Sequence, residues 1–170
     1  MLKKIICAAT LFVTPLIGET IGTVNYTIPE SAKEWKVANE MKNPESTTIV
    51  YLPSDNSQNE KKQVFTVHSN TFASDTTDNK AIAEGLIKTL ELYYPGKKVQ
   101  GTIVEKEANS ILFEWAVEEE GKEILHGWYR MFGSNNGTVL LGYQTGDIPG
   151  LEKERANWLP ALKGATDTKK

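Results

Sequence analysis

Hydrophobic and polar positions divide the chain into stretches of different period. After an apolar run from Ile5 to Ile17, short alternating segments around Val24 to Ile28 and Lys33 to Val37 predict strands, with Pro29 confining them to an edge or a break. Thr47 to Leu52 and Gln63 to Ser69, rich in β-branched and aromatic residues, predict two more. The segment between them, Ser54 to Lys62, is wholly polar and predicts a solvated loop. From Asp78 to Tyr94 the period changes: Ile82, Leu86, Leu90 and Tyr93 fall on one helical face, Asp78 is placed to cap the start, and Pro95-Gly96 stops the helix. Four strands follow, near Val99 to Glu107, Ile111 to Glu119, Glu123 to Phe132 and Thr138 to Gln144. Glu120-Gly121 and Asn136-Gly137 mark tight reversals, the second as a type I′ hairpin turn.

The middle two of these strands are apolar on both sides. Phe113, Trp115 and Val117 alternate with Leu112 and Ala116, and Trp128 and Phe132 alternate with Tyr129 and Met131. A sheet with one wet face does not need this, so each side requires a cover. The helix at 78–94 supplies one. A terminal helix supplies the other, with Leu151, Trp158 and Leu162 aligned and Pro160 either kinking it or starting its last turn. The predicted fold is α+β, an α/β/α sandwich with a central antiparallel sheet of about six strands covered by two main helices. An early tryptophan in Glu34-Trp35-Lys36, the strand end Tyr51-Leu52-Pro53, one helix, a four-strand meander and a closing helix through Asn157-Trp158-Leu159 resemble the exported proteins of PsbP-like fold. That resemblance implies an accessory or binding role and transfers no individual functional residue.

The amino terminus changes the picture of where the protein works. Lys3 and Lys4 precede an apolar run too short to span a bilayer as a helix, and small and polar residues follow, the layout of a secretory signal peptide. Residues 1–22 are therefore read as a signal, cleaved after Gly18 or Gly22, followed by one globular domain over 23–164 and a polar tail over 165–170. Cys7, the sole cysteine, opens the apolar run and leaves with it, so the mature chain is expected to hold no thiol chemistry and no disulfide. With 19 basic and 22 acidic residues and a net charge of -3, the chain lacks the basic excess of a nucleic-acid binder. A soluble, mildly acidic, periplasmic or secreted bacterial protein without a lasting membrane anchor is expected.

Candidate chemistry is sparse. No nucleophile elbow, phosphate loop or metal-ligand spacing occurs, so no catalytic residue, metal or cofactor is assigned. His68 and His126 are each isolated from a second ligand, and Glu118, Glu119, Glu120 and Glu123 read as a solvated hairpin tip. Glu114, set within an apolar strand, needs either solvent or a partner such as Arg130. The one cluster suited to binding a protein or small-molecule ligand is His126, Trp128 and Arg130, alternating along one strand, with Tyr143 on its neighbour. Its competing explanation is burial under a helix, with Arg130 paired to Glu114. The function expected is a non-enzymatic exported binding or accessory protein of the envelope or secreted fraction. The alternatives are a hydrolase or transferase with a dispersed site, and a structural subunit of an envelope assembly.

Overall fold

The computed structural model describes residues 18–54, 62–71, 78–134 and 137–168. The apolar run from Ile5 to Ile17, most of the polar loop after Ser54 and residues 135 and 136 lie outside the described residues. The described chain runs β1 (Gly18–Ile21), β2 (Val24–Thr27), β3 (Lys36–Lys42), β4 (Ser46–Leu52), β5 (Val64–Asn70), α1 (Asn79–Tyr93), β6 (Lys98–Lys106), β7 (Ser110–Glu119), β8 (Lys122–Ser134), β9 (Gly137–Thr145), α2 (Leu151–Gly164) and β10 (Thr166–Asp167). The main sheet is antiparallel and ordered β3-β4-β5-β9-β8-β7-β6, seven strands rather than about six. A second, three-stranded sheet holds β1, β2 and β10.

The structure departs from the sequence reading at named places. The segment read as a strand from Lys33 forms instead the end of a 3-10 turn at Glu30–Ala32, and the edge strand begins at Lys36 and continues to Lys42. The polar tail begins with Ala165, which is buried, and its next two residues pair with β2. Gly137 already pairs with Ser134 in the ladder, so it is not a central residue of that hairpin's turn. The other hairpin is as expected: Glu119 pairs with Lys122, and the residues between them, Glu120 and Gly121, have φ of 52° and 77°.

Both helices form where capping and periodicity predict. The Asp78 carboxylate accepts from the backbone N–H of Lys80 and Ala81. Leu90 is buried, with Leu86 and Ile87 packed beside it, but Tyr93 points outward and is 74% exposed, contrary to the predicted stripe. The second helix runs unbroken through Pro160 to Gly164.

Register assigns the two faces of the main sheet. Leu112, Trp128, Leu141, Tyr143, Phe65 and Val67 point to one side, where they join Trp158 and Leu162 of α2 and Ile21, Val24 and Tyr26 of the small sheet in one core. Phe113, Trp115, Val117 and Leu125 point to the other side and pack against α1. On this second face three rings lie over cross-strand glycines. A Cβ on Gly101 would sit 2.4 Å from Phe113, one on Gly127 2.5 Å from Trp115, and one on Gly142 2.8 Å from Tyr129. Glycine is required at these positions because ring atoms occupy the space a Cβ would take.

The docking of α2 combines stacking and charge. Trp158 stacks on Tyr143 at 4.2 Å with the planes 13° apart, and Tyr143 in turn stacks on Trp128 at 6.1 Å. The buried Tyr143 hydroxyl donates to Glu154 of α2 at 2.6 Å. Farther along the helix, Arg155 pairs with Glu114, and Lys163 pairs with Glu105 at 2.7 Å. Burial alone would raise the Glu114 carboxyl, but hydrogen bonds and charge from Arg155 and His126 outweigh it and hold it below the usual carboxylate range.

Two outcomes follow from this docking. Trp158→Ala should destabilise the fold by about 3–5 kcal/mol in denaturant unfolding, because the ring is fully enclosed. Because the Glu114 carboxyl lies lower in the folded chain than in the unfolded one, its contribution is complete above the unfolded carboxylate value, about 4.3. It is lost as pH falls from there through the lowered folded value. Glu114→Gln should therefore be less stable than the native chain at pH 7 and show a shallower loss on acidification, read from urea midpoints across that range.

Candidate ligand groove

The residues expected to form a binding surface are brought together, but inside. Trp128 and Tyr143 are direct cross-strand partners, His126 lies two residues before Trp128, and Arg130 two after. All four are buried, with His126 at 7% exposure and the other three at 0%. The alternation that suggested a contact face is the alternation of a strand beneath α2. The reason is the aromatic stack: Tyr143 is held between Trp128 and Trp158, which leaves neither ring a free face on that side.

Charge follows the same burial. Arg130 lies over the Phe132 ring at 5.3 Å, and its guanidinium donates to Glu107 and, at 3.4 Å, to Glu105. Glu114 was the partner expected for it. That carboxylate instead receives His126 Nε2 at 2.8 Å and Arg155, while His126 Nδ1 meets Glu123 at 2.8 Å. Arg155 also lies over Trp128 at 5.4 Å. The buried Arg130 is paired through its two terminal nitrogens with carboxylates that reach solvent, while its Nε has no hydrogen-bond partner among the described residues. The accessible remnant is a cleft of about 330 Å³ at the β6 side, lined by His126, Glu114 and Glu123 beside Gln100 and Thr102.

The larger concavity lies on the opposite face. The rings of Phe113, Trp115 and Tyr129 fill the β6–β8 half under α1, whereas β4, β5 and β9 carry smaller and more polar groups on that side. Between α1 and these strands runs a groove of about 700 Å³. Its floor is Thr48, Thr66, His68, Leu140 and Gln144, its helix wall is Leu86, Tyr93 and Tyr94, and Tyr129 separates it from the packed half. Met41 of the edge strand, 55% exposed, forms the far rim. A second hollow of about 390 Å³ shares Val64, Tyr94 and Gln144 with it and extends it toward Lys62 and Lys97.

The groove's polar groups are donors and acceptors rather than charges. Burial raises the Tyr94 hydroxyl against the opposing effect of its hydrogen bond to Gln144, and burial with the neighbouring phenols raises Tyr129, so both remain protonated at neutral pH. Thr48 Oγ1 is 2.8 Å from His68 Nδ1, and Asn70 Nδ2 lies 3.5 Å from Nε2. His68 and His126 therefore occupy opposite faces of one sheet and cannot share a ligand.

Sequence reasoning placed His68 correctly with Val64 and Thr66 but did not assign it to a site. The available signal was a contrast between strands. On the α1 side, β7 and β8 alternate in large apolar residues, while β4 and β5 place Thr48, Thr66 and His68 there. A face that changes from aromatic to polar halfway across the sheet cannot be covered uniformly.

No family model matches the chain, and no curated protein matches it. Among solved structures, the solution structure of cyanobacterial PsbP (CyanoP) from Synechocystis sp. PCC 6803 superposes with a TM-score of 0.65 at 10% identity, covering 94% of this chain and 96% of that one. LpqN, involved in cell envelope biogenesis of Mycobacterium tuberculosis, matches with a TM-score of 0.42 at 14% identity over 91% of this chain and 86% of that one. The agreement with the cyanobacterial protein extends over nearly the whole of both chains and concerns architecture: the chain has a PsbP-like fold.

Proposed function

We propose that this is an exported binding or accessory protein of the bacterial envelope or secreted fraction, an α/β/α sandwich whose groove beside α1 holds a small amphipathic molecule. The observation that carries the reading is the groove itself. Its volume of about 700 Å³ suits a small-molecule site, and its lining pairs an aromatic and aliphatic helix wall with a hydrogen-bonding sheet floor. The charged start and short apolar run before Gly18 support export. The PsbP-like fold supports an accessory role without defining a ligand.

A hydrolase reading would place its nucleophile at Thr48, the hydroxyl in contact with His68. At Nε2 the ring meets the Asn70 amide, at 3.5 Å, and not a carboxylate that would stabilise the imidazolium formed by taking the Thr48 proton. Binding is the better account of the same residues.

Thr66→Trp places an indole on the groove floor without touching the core beneath α2. Titration with the amphipathic dye anilinonaphthalene sulfonate should show saturable binding to the native chain and at least tenfold weaker binding to this variant, with urea midpoints that differ little. Equal dye binding by the two proteins, or none by the native chain, would overturn the groove as the binding site.

A further inference from the structure

The sequence offers two processing sites, after Gly18 and after Gly22, and the fold distinguishes them. We propose that the Gly18–Glu19 bond is the one cut, so that the mature chain begins at Glu19. The inference rests on the export reading. The step is peptide hydrolysis with water as co-reactant, leaving a carboxylate on Gly18 of the leader and a new α-amino group on Glu19.

Each glycine can be asked whether the folded chain needs it. Gly22 is needed: Ile21 pairs with Val24, which makes Gly22 and Thr23 the two-residue turn of the β1–β2 hairpin, and Gly22 has φ of 59°. A left-handed conformation at that turn is sufficient reason for glycine there. Gly18 is not needed. Among the described residues, none lies within 4 Å of a Cβ placed on it. Its small size suits the position before a cut, and the fold is set against the other recognition position, two residues earlier, where Leu16 is larger than the Thr20 that precedes Gly22.

The residues between the two sites belong to the fold. Ile21 is buried in the core that also contains Val24 and Tyr26. The Glu19 carboxylate accepts from the hydroxyls of both Tyr26, at 2.7 Å, and Tyr51, and thereby ties the small sheet to β4 of the main one. Burial first, then the hydrogen bond to Glu19, pushes the Tyr51 hydroxyl up to about 12, as expected for a phenol that donates to a carboxylate in an enclosed site. A cut after Gly22 would remove this acceptor and all of β1. It would leave β2 paired, among the described strands, only with the two residues of β10, and would leave the buried Tyr26 and Tyr51 hydroxyls, 3.2 Å apart, with each other but without their carboxylate acceptor.

The test is amino-terminal sequencing of the protein recovered outside the cytoplasm of a bacterial host expressing the full precursor. The native chain should begin at Glu19. Gly18→Leu should reduce that species at least tenfold, and Gly22→Leu should leave its start unchanged. A start at Thr23, or loss of processing in Gly22→Leu rather than Gly18→Leu, overturns the assignment; a start at Met1 overturns the export reading itself. Chains purified to begin at Glu19 or at Thr23 supply a second measurement. The shorter should unfold at a clearly lower urea concentration, and equal midpoints would remove the structural ground for the proposal.

Discussion

The Tyr143 ring, held between Trp128 and Trp158 with its hydroxyl on Glu154, is the contact on which the rest of the structure depends. It joins the centre of the main sheet to the last helix through both faces of one ring and its polar tip. A buried phenol of this kind needs a partner, and Glu154 supplies one from the helix turn that precedes Trp158. Once α2 is fixed along this line, Arg155 reaches Glu114 and Lys163 reaches Glu105. The small sheet then closes the remaining edge of the same core, with Glu19 bridging to Tyr51.

Commitment of this face to α2 gives the other face its character. The three rings lying over Gly101, Gly127 and Gly142 form a low, apolar platform, and α1 packs on the part of it nearest β6. Beyond Tyr129 the platform ends. The strands that continue the sheet carry Thr48, Thr66 and His68, which gain little from being covered by a helix. The groove exists because one helix covers an aromatic half-face and leaves a polar half-face open. Both free edges of the sheet carry lysines and a register shift, at Val37/Asn39 and at Ile103/Glu105, features that discourage edge-to-edge pairing.

Much of the architecture was legible in residue patterns. Alternation on both sides of β7 and β8 required two covers, and Asp78, Pro95-Gly96 and the Trp158–Leu162 spacing located the helices that provide them. Of the small sheet β2 was legible, as the strand read from Val24 to Ile28, but β1 and the last pairing strand were not, because segments of four and two residues carry too little periodicity, and β10 is recognised only by the presence of β2 beside it. The seventh strand of the main sheet was likewise hidden, since β3 is exposed along its whole length and has no apolar alternation. His126, Trp128, Arg130 and Tyr143 show the limit for a site. Alternation identifies a shared face, but the side that a helix covers depends on Glu154 and Trp158, 11 and 15 residues beyond Tyr143, and on Arg155, 41 residues beyond Glu114. Glu114 and Arg130, which neighbour each other's strands, found partners in α2 and in the β6 segment instead.

The central claim is that one face of the sheet is sealed by aromatic stacking while the other is open beside α1. Hydroxyl-radical footprinting of the folded protein, read by mass spectrometry, compares the two faces in one sample. Met41 and Tyr93 should be oxidised at rates close to those in the unfolded chain, whereas Trp128, Tyr143 and Trp158 should be strongly protected. Rapid oxidation of the three stacked rings, or protection of Met41 and Tyr93 equal to theirs, would contradict the account.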